Sequence, residues 1–361
     1  MDAAFSQIPS SSENLGPHGL PGAPLLSVDN CGCFYGFKIQ SITMKVAITG
    51  ASGFIGRRLA DALAAHGCTV NVLSRTLQPR LGAGMEVMTG DLTSPECPLD
   101  QFVYDCEVVF HCAGEIRNTA AMRLLHVHGT QRLLQAVLKE AARRGCKIHW
   151  VQLSSVGAYG PPQGKANAER IVTEDTPLLP VGEYEVTKVL SDELVIRSSA
   201  SHLLSYSIVR PSIVMGAGMP NKSLRALGEM VRKGLFFYIG RPGAIAPYVH
   251  VDDVAAVLRL CGTDPRGKGK VFNVSNDCRL EEMIGGMASA LGVRRPRLRL
   301  PEAMVRTVAR AAAGVVSIPL TPERINALVA RTRYPHDKLE QELGFIPRVS
   351  VPDAMGEVWA T

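Results

Sequence analysis

The chain has 361 residues, a formal net charge of +6, nine cysteines and an apolar fraction of 46%. This length predicts two domains or one large α/β unit with a sizeable core. The basic cluster Arg294–Arg299 lacks aromatic interleaving and any nucleic-acid motif, so we interpret it as a polar connector and expect no nucleic-acid partner. The sequence shows no metal-ligand spacing and no apolar run long enough to span a membrane. The scattered, odd-numbered cysteines indicate reduced thiols and a cytoplasmic protein.

The first 43 residues are rich in Ser, Pro and Gly and show no sustained hydrophobic period. They lack the charged-then-apolar layout of a signal peptide and contain no arginine, which disfavours a transit peptide. We therefore expect 1–43 to be a flexible N-terminal extension, with Met44 as the natural start of the folded region.

A strand, a tight turn and a helix are predicted at the start of this region. The apolar run Val46–Ile48 leads to Gly50, Gly53 and Gly56, and a helical pattern begins at Arg57. This is the context of a dinucleotide-binding fingerprint. The first glycine permits the turn, the second lets a pyrophosphate approach, and the third lets the helix pack closely. For the motif alone, a glycine-rich turn without a ligand is the alternative interpretation.

The second predicted strand, Cys68–Leu73, ends at Ser74 and Arg75. A site for NAD usually places Asp or Glu about 20 residues after the glycines, where the carboxylate binds the ribose 2′-hydroxyl. That acid is missing here, and Arg75 could pair with a 2′-phosphate with the help of Ser74. The pattern favours NADP, with NAD left open. An ordinary surface arginine is the alternative.

Strands and helices alternate through the first part of the chain, which predicts an α/β fold with a doubly wound parallel (Rossmann) sheet. Further strands are predicted at Met85–Thr89, Glu107–Cys112, Lys147–Leu153 and Leu203–Arg210, and long helices at Thr119–Arg144 and Val181–Ser199. Beyond Gly216 the pattern loosens and predicts a smaller, mostly helical C-terminal substrate lobe. We assign 44–215 to the NAD(P)-binding domain, with 250–277 returning to it. The lobe then comprises 216–249 and 278–361.

Tyr184 and Lys188 are four residues apart on a predicted helix, so their side chains share one face. A nearby ammonium favours the phenolate and would lower the pKa of the tyrosine. Ser155 follows the fifth strand and could hydrogen-bond the substrate oxygen whose charge changes. Tyr184 would move the hydroxyl proton while a hydride moves to or from a nicotinamide. A surface Tyr/Lys pair is the alternative for these two residues alone.

Together these residues resemble the extended short-chain dehydrogenase/reductases, the NAD(P)-dependent epimerase/dehydratase family. The matching stretches are Thr49–Gly56, Gly90–Leu92, Ser154–Gly160, Tyr184–Lys188, Arg210–Pro211, His250–Asp253 and Tyr334–Pro347. The resemblance covers nearly all of 44–361 and implies a catalytic set of Ser155, Tyr184 and Lys188. It also implies a homodimer that forms through the two long helices, and no metal.

The resemblance implies further contacts to the cofactor and to the substrate. The implied cofactor residues are Gly50, Ser52, Gly53, Phe54, Ile55, Gly56, Ser74, Arg75, Asp91, Leu92, Ala113, Gly114, Tyr184, Lys188, Pro211 and Ile213. The implied substrate residues are Asn221 and Arg241. The chain departs from the family at His126, where an asparagine is frequent, and at Ala246-Pro247, where sugar-nucleotide epimerases often have an arginine.

Three functions are consistent with this pattern. The first is epimerisation, dehydration or reduction of a nucleotide sugar. Asn221 and the loop containing Arg241 favour it. The second is NADPH-dependent reduction of a hydrophobic ketone, similar to dihydroflavonol reductases or 3β-hydroxysteroid dehydrogenases. Ser74-Arg75 and the missing arginine at position 246 favour it. The third is an NADP-sensing binding protein without turnover, and the retained Tyr184 and Lys188 speak against it.

Overall fold

The computed structural model describes residues 43–76, 82, 84–165, 167–220, 222–312 and 320–360. The predicted N-terminal extension, except for Thr43, and Asn221 lie outside the described residues.

The strands in chain order are β1 (Lys45–Thr49), β2 (Thr69–Ser74), β3 (Met85–Thr89), β4 (Val108–His111), β5 (Ile148–Leu153), β6 (Glu169–Ile171), β7 (Leu204–Pro211), β8 (Ile213–Met215), β9 (Tyr238–Ile239), β10 (Ile245–Ala246), β11 (Tyr248–His250), β12 (Lys270–Val274), β13 (Cys278–Arg279), β14 (Arg299–Leu300) and β15 (Arg331–Arg333). The helices are α1 (Phe54–Ala65), α2 (Leu99–Phe102), α3 (Thr119–Arg123), α4 (Thr130–Arg144), α5 (Glu183–Ser198), α6 (Lys222–Arg232), α7 (Val251–Thr263), α8 (Leu280–Ala290), α9 (Glu302–Ala312), α10 (Pro322–Val329) and α11 (Asp337–Leu343).

Seven parallel strands form the central sheet, in the order β12-β7-β5-β4-β1-β2-β3. The predicted doubly wound parallel sheet is thereby confirmed. The chain order reverses beside β1, which pairs with β2 on one side and with β4 on the other. In sheets of this kind the ligand crevice lies outside the carboxyl ends of the strands, at the point of reversal. The turn after β1 and the ends of β4, β5 and β7 therefore face the same crevice.

Two apolar cores cover the two faces of this sheet. Along β1, Val46 and Ile48 pack into the core with α1 and α7, whereas Ala47 packs into the core with α2, α4 and α5. Alternate side chains of a strand point to opposite faces, and strands buried on both faces read as continuous apolar runs. This explains why the run Val46–Ile48 is apolar at every position.

A third apolar core lies between α6, α8 and the short strands β9 and β10. It includes Met215, Leu224, Tyr238, Ala246 and Met283. The strands here come in pairs: β8 with β11, β6 with β15, β9 with β14, and β10 with β13. This part of the chain is mostly helical, as the sequence predicts, and the pairing of β8 with β11 joins it to the end of β7.

Candidate active site

The glycine turn between β1 and α1 is built as its sequence spacing predicts. Gly50 has φ +73°, and a side chain there would place its Cβ 2.7 Å from the backbone nitrogen of Ala113. A Cβ on Gly56 would overlap the carbonyl oxygen of Gly50. Gly53 donates its N–H to Gly50 O at 2.9 Å and is the N-cap of α1, with no side-chain hydrogen bond at that cap.

The outer surface of this turn is open. Ser52 and Gly53 are exposed, and Phe54 and Ile55 are half-buried. The first N–H groups of a helix have no intrahelical partner, and with the helix dipole they favour an anion. A backbone cradle that only glycines permit, ahead of an uncapped helix, fits the pyrophosphate of a dinucleotide. The cofactor implied by the sequence therefore fits the residues present.

Polar groups at the ends of β2 and β3 surround the position expected for the adenosine. Arg75 is exposed, whereas Ser74 is buried and its Oγ accepts the N–H of Thr76 at 3.4 Å. Asp91 accepts hydrogen bonds from the N–H and the Oγ1 of Thr93, both at 2.8 Å. These bonds, with the charges of Arg75 and Arg132, hold the pKa of Asp91 below its usual value. The charge of Arg75 therefore stabilises the Asp91 carboxylate at this end of the crevice.

Small residues at the end of β4 leave room for two side chains from neighbouring helices. A Cβ on Gly114 would lie 3.4 Å from Lys188 Nζ and 3.6 Å from His126 Nε2. Ala113 donates its N–H to Thr49 Oγ1 at 3.3 Å. Gly114 is therefore the point where the β4 end meets the side chain of Lys188.

Ser155, Tyr184 and Lys188 come together at the ends of β5 and α5. The side chain of Ser155 lies close enough to the phenol of Tyr184 to lower its pKa. Lys188 is buried and its Nζ donates to the carbonyl of Leu153 at 2.9 Å. Ser155 Oγ also accepts the N–H of Gly157 at 3.0 Å. The arrangement places two hydroxyls, one of them phenolic, side by side above a buried ammonium.

The pKa of Tyr184 differs from the sequence-based expectation of a lowered value. Burial raises the pKa of Tyr184 to about 12, the charges of Glu185 and Asp192 add to the increase, and the hydrogen bond from Ser155 opposes it. Lys188 directs its Nζ to a backbone carbonyl. Burial has the largest effect on the pKa of Tyr184, because it removes the water that would stabilise the phenolate. Tyr184 therefore carries its proton at neutral pH, the form that can donate to a carbonyl oxygen.

Asp192 lies one helical turn beyond Lys188 and was not selected from the sequence. Its Oδ2 accepts from Ser154 Oγ at 2.7 Å and forms an ion pair with Arg210 Nη2 at 3.0 Å. Its charge raises the pKa of Lys188 and so opposes the larger, lowering effect of burial. A signal was present in the sequence, since an acid four residues after a lysine on a helix shares its face.

His126 contacts the same group of residues. Its Nε2 accepts the N–H of Glu115 at 2.9 Å, and its Nδ1 lies 2.8 Å from Thr187 Oγ1. Because Thr187 Oγ1 donates to the carbonyl of Glu183, it accepts from His126, which fixes the proton on Nδ1. Burial lowers the pKa of His126 to about 3. The ring stands edge-on to Tyr184, with 5.8 Å between the ring centroids.

The remaining site residues of the sequence analysis lie on β7, β8 and the loop after β9. Pro211 ends β7, and Ile213 begins β8 with 41% of its side chain exposed. Arg241 is exposed on the loop between β9 and β10, where Arg331 donates to the carbonyls of residues 241–243. Ala246 is only 3% exposed, so its side chain belongs to the apolar core.

The described residues include no group of three or more His, Cys, Asp or Glu side chains placed to hold a metal ion. In the same part of the chain, no helix combines the length and the apolar character that crossing a bilayer requires.

The fold and this site define an α/β protein with a dinucleotide cradle and a Ser/Tyr/Lys cluster at the carboxyl ends of its strands. The model of the NAD dependent epimerase/dehydratase family matches residues 46–275, which include both features. The chain belongs to the NAD dependent epimerase/dehydratase family and is an NAD(P)-dependent oxidoreductase of that family.

Individual relatives cover most of the chain. Sterol demethylase protein B of Methylococcus capsulatus is 30% identical over 279 residues, which cover 74% of this chain and 80% of that protein. The 2-alkyl-3-oxoalkanoate reductase of Shewanella oneidensis is 24% identical over 292 residues, 75% of this chain and 73% of that protein. The solved structure of MoeE5 in complex with UDP-glucuronic acid and NAD matches with a TM-score of 0.66 at 23% identity, over 87% of this chain and 97% of that chain. At this identity the structural match supports the fold alone.

Proposed function

We propose that the protein is an NADPH-dependent reductase of a lipophilic ketone, with Ser155, Tyr184 and Lys188 as its catalytic residues. The observation that carries the reaction is the proximity of the Ser155 side chain to the Tyr184 phenol, one helical turn from buried Lys188. A substrate oxygen placed between the two hydroxyls would receive a hydrogen bond from each.

Each catalytic residue has a separate task in this proposal. Tyr184 donates its proton to the carbonyl oxygen during reduction, and Ser155 holds the same oxygen in place. Lys188 supplies a positive charge that stabilises the phenolate left on Tyr184. The nicotinamide, when bound, supplies the hydride. The glycine turn, with Ser52, Phe54 and Ile55, would hold the pyrophosphate, and Ser74, Arg75, Asp91 and Leu92 the adenosine. Ala113, Gly114, Pro211 and Ile213 would flank the nicotinamide.

The apolar character of the substrate is supported by position 246. The family's sugar-nucleotide enzymes often carry an arginine there, whereas Ala246 is buried in the apolar core and Pro247 has no donor at all. Neither side chain can donate a hydrogen bond to a diphosphate. The sterol demethylase protein B and the 2-alkyl-3-oxoalkanoate reductase, named for lipophilic compounds, support the same choice.

A nucleotide sugar is the second candidate, because one cavity of the substrate lobe is basic. A cavity of about 400 Å³ is lined by Arg279, Arg331 and Arg333 among others, and guanidinium groups suit a diphosphate. Arg241 lies on the loop that borders this cavity, and Asn221 is outside the described residues.

The proposal includes the arrangement of the whole chain. Residues 44–215 and 250–277 would bind the cofactor, while 216–249 and 278–361 would bind the substrate. A homodimer through the helices at 119–144 and 181–199 and a cytoplasmic location remain predictions.

Replacement of Tyr184 by phenylalanine tests the catalytic assignment. The variant Tyr184→Phe should lose at least about 100-fold in kcat for ketone reduction, because general acid catalysis contributes that much or more. NADPH binding, followed by the quenching of protein fluorescence, should be retained. Tyr206→Phe is the matched control, since Tyr206 is a half-buried tyrosine elsewhere on the sheet. Unchanged turnover in Tyr184→Phe would remove the assignment.

A further inference from the structure

Glu185 occupies a gap between the loop after β5 and the first turn of α5. A Cβ on Gly157 would lie 2.8 Å from Glu185 Cγ, 3.5 Å from its Oε1 and 3.3 Å from Ser155 Oγ. A Cβ on Gly182 would overlap Glu185 Oε2. The carboxylate and the Ser155 hydroxyl are therefore neighbours across one small volume. This volume is free because Gly157 and Gly182 have no Cβ.

Glu185 is a half-buried residue, and none of the residues that the structure describes forms a hydrogen bond or ion pair with its carboxylate. Other partly buried acids are satisfied: Glu115 accepts two backbone N–H groups, Glu140 binds Arg143, and Glu281 binds Arg299. Glu185 lies in the first turn of α5, where an acid interacts favourably with the helix dipole. That interaction needs no particular direction of the carboxylate, so it does not explain why the carboxylate lies beside Ser155.

The position of Glu185 makes Tyr184 a weaker acid in the free protein. Its negative charge raises the pKa of Tyr184 further above the value that burial sets. Glu185 lies beside a proton donor, Tyr184, and a serine that would bind the substrate oxygen. A carboxylate at this position is useful when the substrate donates a hydrogen bond to it.

We infer that Glu185 is a substrate-binding residue that accepts a hydrogen bond from a hydroxyl or N–H group next to the reacting carbonyl. The inference rests on the proposed function and narrows its substrate to a lipophilic ketone with such a donor on a neighbouring carbon. A carboxylate at that place on the substrate would be repelled, because like charges in a partly desolvated site oppose each other. Glu185 would thus separate hydroxy or amido ketones from 3-oxo acids.

A matched series of long-chain ketones tests this role. The probes are 1-hydroxydodecan-2-one, 1-acetamidododecan-2-one, dodecan-2-one and 3-oxododecanoate. Each is measured for kcat/KM with NADPH and for binding to the protein–NADPH complex by the quenching of nicotinamide fluorescence. The proteins are the wild type, Glu185→Gln, Glu185→Ala and the control Glu193→Gln, which removes an exposed acid on the same helix.

The wild type and the control should bind the hydroxy or amido ketone about 10-fold or more tighter than dodecan-2-one, since a hydrogen bond to a charged group contributes that much. The preference should disappear in Glu185→Ala. Glu185→Gln, which keeps an acceptor oxygen, should retain part of it and should accept 3-oxododecanoate better than the wild type does. The two donor-bearing probes show whether O–H or N–H is preferred.

Equal preference ratios in wild type and Glu185→Ala would overturn the inference while the ketones are still reduced, and Glu185 would then be a spacer between Gly157 and Gly182. Binding of the hydroxy ketone without reduction would instead refute the proposed function and leave the role of Glu185 intact. Failure of every ketone to bind would overturn both.

Discussion

A buried lysine ammonium is costly for folding, and single residues around Lys188 reduce that cost. Burial lowers the pKa of Lys188, and the carboxylate of Asp192 one turn away raises it. Asp192 is in turn held by Arg210 and Ser154. The carboxylate of Asp192 therefore helps to keep Lys188 charged, while Lys188 Nζ itself remains bonded to a backbone carbonyl.

His126 stands where the family often has asparagine, and its contacts make it a fixed support for α5. It links the backbone of Glu115, after β4, to Thr187, which lies between Tyr184 and Lys188. Its only accepting nitrogen is occupied by the N–H of Glu115, so the neutral ring has no free acceptor for a proton. We therefore interpret His126 as a positioning residue for α5, in place of the proton relay that an asparagine could support.

We propose that Arg75 governs the choice between NADPH and NADH. Replacing Arg75 by alanine should weaken NADPH binding about 10-fold or more, because a charge-assisted bond to the 2′-phosphate is lost. NADH binding should change little. Dissociation constants of both cofactors from nicotinamide fluorescence measure the effect, and Arg197→Ala, an exposed arginine on α5, is the control. An equal loss for both cofactors would contradict the 2′-phosphate role.

At the level of elements, the predicted long helix at 119–144 is interrupted. The structure has α3, a π-helical segment at Leu124–Gly129, and α4. His126 lies in this segment, and Thr130 donates its hydroxyl to the His126 carbonyl at 2.6 Å. Single π turns inside helices are frequent at functional sites. The widened turn lets His126 reach Thr187 on α5 while the apolar stripe of α4 still packs on the sheet.

The close packing of Gly56, in α1, on the glycine turn allows a test of the proposed pyrophosphate-binding turn. Gly56→Ala should destabilise the protein by about 1–3 kcal/mol, because its Cβ would meet the carbonyl of Gly50, which is backbone and cannot turn aside. It should also weaken cofactor binding. Gly356→Ala is the control, since a Cβ there meets nothing nearer than Ala290 Cβ at 3.7 Å. The measurement is thermal unfolding of both variants with and without NADPH. Equal stability and equal stabilisation by NADPH in the two variants would contradict the prediction.

At the scale of the whole molecule, three buried histidines couple folding to pH. Burial lowers the pKa of His111 and of His126 to about 3, and that of His149 to about 4. In the unfolded chain a histidine titrates near 6.5. As the pH falls below about 6.5, the unfolded chain binds protons that the folded protein excludes, so stability is lost until the pH reaches the folded pKa values.

This lost stability is measurable. Each of these histidines should reduce the free energy of unfolding by up to about 1.4 kcal/mol per pH unit between pH 6.5 and 4. Urea unfolding at pH 7 and pH 5 gives the slope. His149→Gln should be less stable at pH 7 but less sensitive to pH, whereas His202→Gln, at an exposed position, should follow the wild type. A wild-type protein equally stable at both pH values would disprove the coupling.

The sequence by itself determined the parallel sheet, the glycine turn and the family, because these depend on local periods and fixed spacings. Val46–Ile48 followed by Gly50, Gly53 and Gly56 specifies a strand, a turn and a helix within one short stretch. The Tyr184 and Lys188 pair was visible for the same reason, since four residues make one helical turn.

Only the tertiary structure decided how distant residues meet and what their charges do. It brought His126 and Asp192 to the Tyr184 site, buried Ala246 in an apolar core, and left Glu185 without a described partner beside Ser155. It also raised the pKa of Tyr184, where the sequence predicts a lowered value. Burial and long-range contacts cause these features, and neither is encoded in the spacing of neighbouring residues.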